Sequence, residues 1–102
     1  MRKPRKLALP MGNFDIDWMD NVLLTETGSA YGLCYFKQGK IVVDESVNQP
    51  LQDLVLMHEI VHMMLFAGGR NDEAMNEDLV ESLSTHMLYF LRNNKKLVEW
   101  LQ

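Results

Sequence analysis

Apolar side chains are concentrated in one stretch of the chain. Residues 53–66 read DLVLMHEIVHMMLF, so that after the opening aspartate ten apolar residues surround only His58, Glu59 and His62. A helix that is apolar on nearly every face is usually buried. The pattern therefore predicts a long central helix whose few polar side chains lie in apolar surroundings.

The residues that flank this stretch indicate where the helix begins and ends. Ser46 or Asn48 can serve as the N-cap, because a short polar side chain accepts a hydrogen bond from a free backbone N–H group of the first turn. Pro50 is tolerated in that turn, where its missing N–H costs nothing. Gly68 and Gly69 follow the last apolar residues and readily adopt the positive φ found at helix ends.

Toward the N-terminus the pattern changes to a period of two, which is typical of half-buried strands. Apolar residues alternate with aspartates in the second half of residues 7–18, whereas Pro10 and Gly12 make the first half irregular or place it at a sheet edge. Residues 31–36 and 40–44 flank a short segment that contains Gly39, and they predict a β-hairpin. Residues 21–29 are ambiguous between a short strand, a turn of helix and a loop.

Two further helices are predicted after the central one. Residues 70–75 form a predicted polar loop, and Asn76 is expected to cap a second helix with an acidic first turn. Apolar residues recur along this helix at helical spacing and are expected to form core: Leu79, Val80, Leu83, Met87, Phe90 and Leu91. A short terminal helix over residues 95–102 is expected to dock through its apolar side chains, which are Leu97, Val98, Trp100 and Leu101.

Together these elements predict an α+β fold. A small antiparallel or mixed sheet of about three strands packs on the buried H-E-x-x-H helix, and the second helix with its acidic start and the short C-terminal helix follow. A chain of 102 residues has room for one hydrophobic core. Residues 1–102 are therefore expected to form a single domain.

Charge is distributed unevenly along this domain. The net charge is −4, but Arg2, Lys3, Arg5 and Lys6 carry four of the ten basic residues. The rest of the chain has six basic against fourteen acidic residues, which is a net charge of −8. We expect residues 1–6 to be a basic, solvated and flexible tail. The acidic body argues against nucleic acid as the main partner.

Cysteine usage and hydropathy bear on the compartment. Cys34 is the only cysteine, so no disulfide can form within the chain, and a buried, unreactive thiol is the simplest interpretation. No run of residues has the length of a membrane span, and the apolar run after the basic start is too short, and too broken by Pro10, for a signal peptide. These features predict a cytoplasmic protein without a membrane partner.

The polar residues of the central helix match the pattern H-E-x-x-H. Residues four apart on a helix lie one turn above each other, so His58 and His62 can bind the same cation. Glu59 is rotated by about 100° from His58, which places it beside a metal ion and near a bound water. Buried polar groups need partners, and a Zn²⁺ ion provides one for all three. The pattern predicts His58 and His62 as metal ligands and Glu59 as general base.

Catalytic zinc sites have three protein ligands and leave one position for water. A third histidine in the pattern H-E-x-x-H-x-x-G-x-x-H is excluded, because Leu65 and Gly68 stand at the positions of its glycine and last histidine. Glu77 and Glu81 lie four residues apart on one face of the second helix, so one can bind the metal while the other orients a histidine. We favour Glu81 as the ligand, because a capping role in the first turn of the helix is enough to explain Glu77. The choice between the two glutamates stays open.

These segments resemble a known group of proteins. The sequence H-E-I-V-H, followed by G-G-R-N-D-E and N-E-D-L-V-E-S-L-S-T-H, is similar to small gluzincin metallopeptidases of the ImmA/IrrE kind and their minimal phage-borne relatives, over residues 12–93. The resemblance implies a zincin-like domain in which His58, His62 and Glu81 bind zinc and Glu59 is the base. It also implies that a substrate peptide adds as an extra strand beside residues 40–44.

The predicted function is that of a zinc metalloendopeptidase acting on a protein or peptide substrate. Glu59 takes a proton from a metal-activated water that attacks the peptide bond, and passes it to the leaving amine. Side chains that can stabilise the oxyanion are Tyr31, Tyr35, Tyr89 and His86, although His86 is expected to be a core histidine. The alternative is a catalytically weak or inactive zincin-fold module that regulates a protein partner. A purely structural zinc site is disfavoured, since such sites usually have four protein ligands, often cysteines.

Overall fold

The computed structural model describes residues 2–20 and 31–102 of the chain. Within these ranges there are four strands and four helices: β1 (Lys6–Leu9), β2 (Gly12–Met19), β3 (Gly32–Tyr35), β4 (Lys40–Asp44), α1 (Gln49–Ala67), α2 (Asn71–Ala74), α3 (Glu77–Asn93) and α4 (Lys95–Leu101). The fold is α+β, as the sequence predicts. The ambiguous residues 21–29 lie outside the described residues.

The described strands form one mixed sheet in the order β1-β2-β4-β3. β1 and β2 are antiparallel, β2 and β4 are parallel, and β3 and β4 are antiparallel. The sheet has four strands among the described residues, where the sequence predicts about three, because residues 7–18 form a hairpin and not one extended segment. Pro10 and Met11 form its turn, and Gly12 follows with a φ of 139°, which favours glycine.

The predicted hairpin of residues 31–44 is present as β3 and β4. Its turn closes with a hydrogen bond of 3.0 Å that the Gly39 N–H donates to the Phe36 carbonyl, and Gly39 has a φ of 69°. β4 lies between β2 and β3, so it cannot accept the additional strand that the resemblance implies for residues 40–44. Among the described strands the edges of the sheet are β1 and β3.

The central helix α1 begins and ends where the sequence predicts. Asn48 is its N-cap, and its side-chain oxygen accepts a 3.0 Å hydrogen bond from the Leu51 N–H. Ser46 instead donates its hydroxyl to the Asp44 carboxylate at 2.6 Å. Gly68 is the C-cap, and Gly69 follows with a φ of 76°. The glycine pair therefore provides the helix stop.

Two clusters of buried apolar side chains meet at α1. One cluster joins α1 to the sheet and consists of Phe14, Ile41, Val43 and Met63. The other joins α1 to α3 and consists of Met57, Val61 and Val80. Because α1 is covered by the sheet on one side and by α3 on another, its apolar side chains are mostly half-buried or buried. Leu54 is an exception, with 42% of its surface exposed.

α3 buries a narrower face than its apolar pattern predicts. Val80 and Ser84 are buried, whereas Leu83, Phe90 and Leu91 are exposed. The expectation of core is therefore wrong for these last three residues. α3 packs mainly on α1, so the part of the stripe that is turned away from α1 stays more than a third exposed.

α4 does not dock as predicted. None of its residues is buried, and Leu97, Trp100 and Leu101 are exposed by 47%, 85% and 70%. This helix of seven residues begins directly after α3 ends and packs only against it among the described elements. His86 of α3 is also exposed, and its Nδ1 donates to the Ser82 carbonyl at 2.8 Å, so the expectation of a core histidine is wrong. Among the described helices, none combines the length and hydropathy needed to cross a membrane.

Gly32 lies where β3 passes close to α1. A Cβ atom at this position would be 2.5 Å from Cγ1 of Val55 and 3.0 Å from Cγ of Glu59. Contacts this short are far inside van der Waals distance. Glycine is therefore required by the close approach of the strand to the helix.

We expect Gly32→Ala to lower the free energy of unfolding by about 1–3 kcal/mol, because the added methyl group overpacks the interface between β3 and α1. Urea denaturation measures this change. Val55→Ala removes the closest atom, so the double variant should regain part of the loss. Losses that simply add in the double variant would contradict the steric explanation.

Candidate metal centre

α1 and α3 run antiparallel across the second apolar cluster. The start of α3 contacts the middle of α1, and its end contacts the start of α1. The two histidines of α1 and the two glutamates of α3 are both four residues apart, so the two pairs lie side by side where the helices pack. His62 lies opposite Glu77, and His58 lies opposite Glu81.

His58, His62 and Glu77 form a group that could hold a metal ion, with their ligand atoms all within 4.8 Å of one another. The Nε2 atoms of the two histidines are 3.2 Å apart. One carboxylate oxygen of Glu77 lies 3.0 Å from Nε2 of His58, and the other lies 3.2 Å from Nε2 of His62. Three potential ligands therefore converge from two helices.

These separations fit the dimensions of a zinc site. Zinc binds nitrogen and carboxylate oxygen at about 2.0–2.2 Å, so two ligands of a tetrahedral site are about 3.3 Å apart. The three observed separations of 3.0–3.2 Å are close to that value. The positions of the donor atoms therefore suit a tetrahedral ion with little rearrangement.

The other ring nitrogens are held by hydrogen bonds. Nδ1 of His62 donates to the backbone carbonyl of Ala74 at 2.7 Å, and Nδ1 of His58 donates to the Glu81 carboxylate at 3.1 Å. A carbonyl can only accept, so the proton of a neutral His62 ring is on Nδ1. Partners of this kind fix the tautomer and the orientation of metal-binding histidines.

The hydrogen bonds at Nδ1 have a consequence for the opposite side of each ring. With Nδ1 protonated, the Nε2 atom of a neutral histidine carries a lone pair. Two such lone pairs and the Glu77 carboxylate, all acceptors, then face one another at 3.0–3.2 Å. Acceptors at these distances repel one another unless a proton or a cation lies between them. The chemistry of the donor set thus fits a divalent cation.

The structure gives the two glutamates the opposite arrangement to the one the sequence favours. Glu81, expected to be the third ligand, lies at the Nδ1 side of the His58 ring, whereas Glu77 lies beside both Nε2 atoms. Asn76 provides the cap of α3, since its side chain accepts from the Leu79 N–H at 3.1 Å, so capping does not account for Glu77. The two carboxylates do share one helix face, as the spacing predicts.

The contribution of α2 to the site is not predicted by the sequence. Residues 70–75 are predicted as a loop, but Asn71–Ala74 form a short helix whose Ala74 is fully buried. The Ala74 carbonyl is the group that orients His62. Asp72 and Glu73 in its first turn are the available sequence signal, because acidic residues stabilise a helix N-terminus.

Glu59 lies beside this group and is largely buried, with 7% of its surface exposed. Burial raises the pKa of its carboxyl from the ordinary 4.5 to about 7, an effect that the nearby Glu77 carboxylate reinforces and His58 opposes. A carboxyl group with a pKa near neutrality can both accept and release a proton at physiological pH.

Cys34 is the other group with a strongly raised pKa. Burial, reinforced by the Glu59 carboxylate, raises the pKa of the thiol to about 12. Because the thiolate is the reactive form, Cys34 is a weak nucleophile at neutral pH. The interpretation of Cys34 as an unreactive thiol agrees with this environment.

Two clefts flank Glu59 and His58. The first, about 270 Å³, has mostly apolar walls, which include Tyr31, Leu51, Leu54 and Val55. The second, about 400 Å³, extends toward Glu77 and includes Leu33, Cys34 and Phe66. Gly32 at the start of β3 lines both, so the edge strand borders the whole site. Of the four candidates for oxyanion stabilisation, Tyr31 lines the first cleft, whereas Tyr35, His86 and Tyr89 line neither cleft.

No protein-family model matches the chain, and neither the curated proteins nor the solved structures include a significant match to it.

The burial of Glu59 makes a prediction for the metal-free protein. The folded state retains a proton that the unfolded state releases between about pH 4.5 and 7, so the contribution of Glu59 to stability falls as the pH rises through this range. With a chelator present, we expect Glu59→Gln to be more stable than wild type by about 1–3 kcal/mol near pH 8, and by much less near pH 4.5. Urea denaturation at both pH values measures the difference.

Glu99→Gln is the matched control. It makes the same chemical change on the exposed α4, away from the site. Its stability should equal that of wild type at both pH values. A gain for Glu59→Gln that did not vary with pH would argue against the burial of a charged carboxylate as its cause.

Proposed function

We propose that the chain is a zinc-dependent metallopeptidase of the gluzincin type. The observation that carries the proposal is the convergence of both histidine Nε2 atoms and the Glu77 carboxylate within 3.0–3.2 Å, next to a buried Glu59. A site with three protein ligands keeps a coordination position for water, which is the arrangement of catalytic zinc. A structural site would need a fourth protein ligand, and the described residues offer none in this group.

Each residue of the site has a separate role in this proposal. His58, His62 and Glu77 hold the ion, while Glu81 positions His58 and the Ala74 carbonyl positions His62. When bound, zinc supplies a Lewis acid that polarises a carbonyl group and increases the acidity of water. The two helices supply the ligands, so the site requires the packing of α3 against α1.

Glu59 moves the proton in the reaction that we propose. Its carboxylate borders both clefts, where it can accept a proton from an attacking water and then deliver it to the amine that leaves. Tyr31 lies at the first cleft and is the candidate, among the four from the sequence, to donate a hydrogen bond to the oxyanion.

The surroundings of Glu59 support a peptide as the substrate. β3 is an edge strand among the described strands, and it borders both clefts, so an extended peptide can pair with it and cross the site. The first cleft is lined mainly by apolar atoms, and its volume of about 270 Å³ is below the range of small-molecule sites, about 300–1,000 Å³. It therefore suits one apolar side chain next to the bond that is cleaved.

The roles of the two glutamates can be separated by their zinc affinities. We expect Glu77→Gln to weaken Zn²⁺ binding at least about tenfold more than Glu81→Gln, since loss of an orienting partner typically costs about 10–100-fold in affinity. Competition with a chromophoric chelator measures both. Asp78→Asn is the matched control, because Asp78 lies in the same turn of α3 outside the group. A larger loss for Glu81→Gln would return the ligand role to Glu81.

The catalytic role of Glu59 can be tested with zinc bound. We expect Glu59→Gln to keep its zinc and to lose at least about 100-fold in the rate of peptide cleavage, because the carboxamide cannot take the proton. Mass spectrometry of products from an unstructured peptide mixture gives the rates and the cleaved bonds, which should be flanked by apolar residues. Equal rates for Glu59→Gln and wild type would contradict the mechanism. Zinc binding by the wild type without any cleavage would favour a regulatory binding module.

A further inference from the structure

Another concave surface lies at the N-terminal segment and shares no lining residue with the two clefts at His58. Its volume is about 650 Å³, and it is lined by Arg2, Lys3, Arg5, Trp18 and Glu45. We call it the basic cavity. Its three cationic residues belong to residues 1–6, which the sequence predicts to be a flexible tail, and the proposed peptidase reaction does not use them.

Backbone and side-chain contacts hold this segment against the sheet. The Arg5 carbonyl accepts a 3.0 Å hydrogen bond from the Ile16 N–H of β2. The Pro4 carbonyl accepts from Nε1 of Trp18 at 2.7 Å. Lys6 is already part of β1. These contacts place the backbone of Pro4, Arg5 and Lys6 beside β2.

The three cations of the cavity differ in how their charges are compensated. Nζ of Lys3 donates to the Gln52 side chain at 2.9 Å, lies 3.3 Å from the Glu45 carboxylate, and lies 4.6 Å from the centre of the Trp18 ring. Arg2 and Arg5 are exposed, and neither forms an ion pair with another described residue. Two guanidinium groups at one cavity are thus available to an anion.

We propose that the basic cavity binds an acidic segment of a partner protein, whose carboxylates accept hydrogen bonds from Arg2 and Arg5. The planar guanidinium group matches a carboxylate with two parallel hydrogen bonds. The rest of the chain carries a net charge of −8, so an acidic partner is attracted to basic surfaces such as this cavity. The inference is independent of the proposed peptidase activity.

A nucleic acid fits the cavity less well. Duplex DNA carries one charge for about every 1.7 Å of its length, and non-specific binding relies on several phosphate contacts. The cavity has three cations, one of them already paired with Glu45. A polyanion that extends beyond the cavity meets the acidic remainder of the chain, whereas the carboxylates of a peptide can be spaced to avoid it.

Trp18 provides a reporter for binding. The chain has two tryptophans, so after the substitution Trp100→Phe on the exposed α4, Trp18 is the only tryptophan that fluoresces. In this background, a short synthetic peptide of alternating glutamate and serine is titrated at low ionic strength. We expect a saturable change in fluorescence, and Arg2→Glu/Arg5→Glu should weaken binding by about tenfold or more, since it replaces two attractions with two repulsions.

The charge reversal Lys95→Glu/Lys96→Glu is the matched control, because it changes the net charge equally at another basic concave surface, which includes Arg92, Lys95 and Lys96. Its affinity for the peptide should stay within about twofold of the parent. The neutral variant Arg2→Gln/Arg5→Gln should bind the peptide with an affinity between those of the parent and the charge-reversed variant. Its thermal transition should be unchanged, which would exclude unfolding as the cause of the lost affinity. Equal losses in both charge-reversed variants, or the absence of saturable binding, would overturn the proposal. Tighter binding of an oligothymidylate of the same net charge would assign the cavity to nucleic acid.

Discussion

The candidate site depends on the antiparallel packing of α3 against α1. Each helix carries a pair of polar residues four positions apart, and one helical turn separates the members of each pair. Packing that is antiparallel and in register therefore places His62 against Glu77 and His58 against Glu81 at the same time. A shift of α3 by one turn would leave one histidine without a carboxylate. Met57, Val61 and Val80, buried between the two helices, stabilise the register that the site requires.

The same packing makes the metal-free site costly. α1 is enclosed by the sheet and by α3, so Glu59 and His62 are almost completely buried among apolar side chains. Burial penalises the charged form of Glu59, and the acceptors at the two Nε2 atoms face one another. Natural proteins tolerate such arrangements where function needs them, since a bound ligand that interacts only with the folded state recovers the lost stability. Stability and metal binding are therefore expected to be linked through α1.

The sequence predicts most of what is local and less of what depends on tertiary packing. The cap at Asn48, the stop at Gly68, the cap at Asn76 and the hairpin of residues 31–44 follow from side-chain chemistry within a few positions. The order of the strands does not. Whether residues 40–44 form an edge or an interior strand is decided by β2, which pairs with them from about 25 positions earlier in the chain.

The choice between Glu77 and Glu81 shows the same limit. Their spacing from each other is visible in the sequence, but their position along α1 is set by how residues 68–76 connect the helices. α2 forms part of that connection, and its Ala74 carbonyl meets His62, which fixes the start of α3 beside the second histidine and not the first. A connection of different shape could instead bring Glu81 beside the Nε2 atoms of both histidines. The pattern H-E-x-x-H thus predicts which histidines come together, while the nine residues between the two helices determine which carboxylate lies beside both of them.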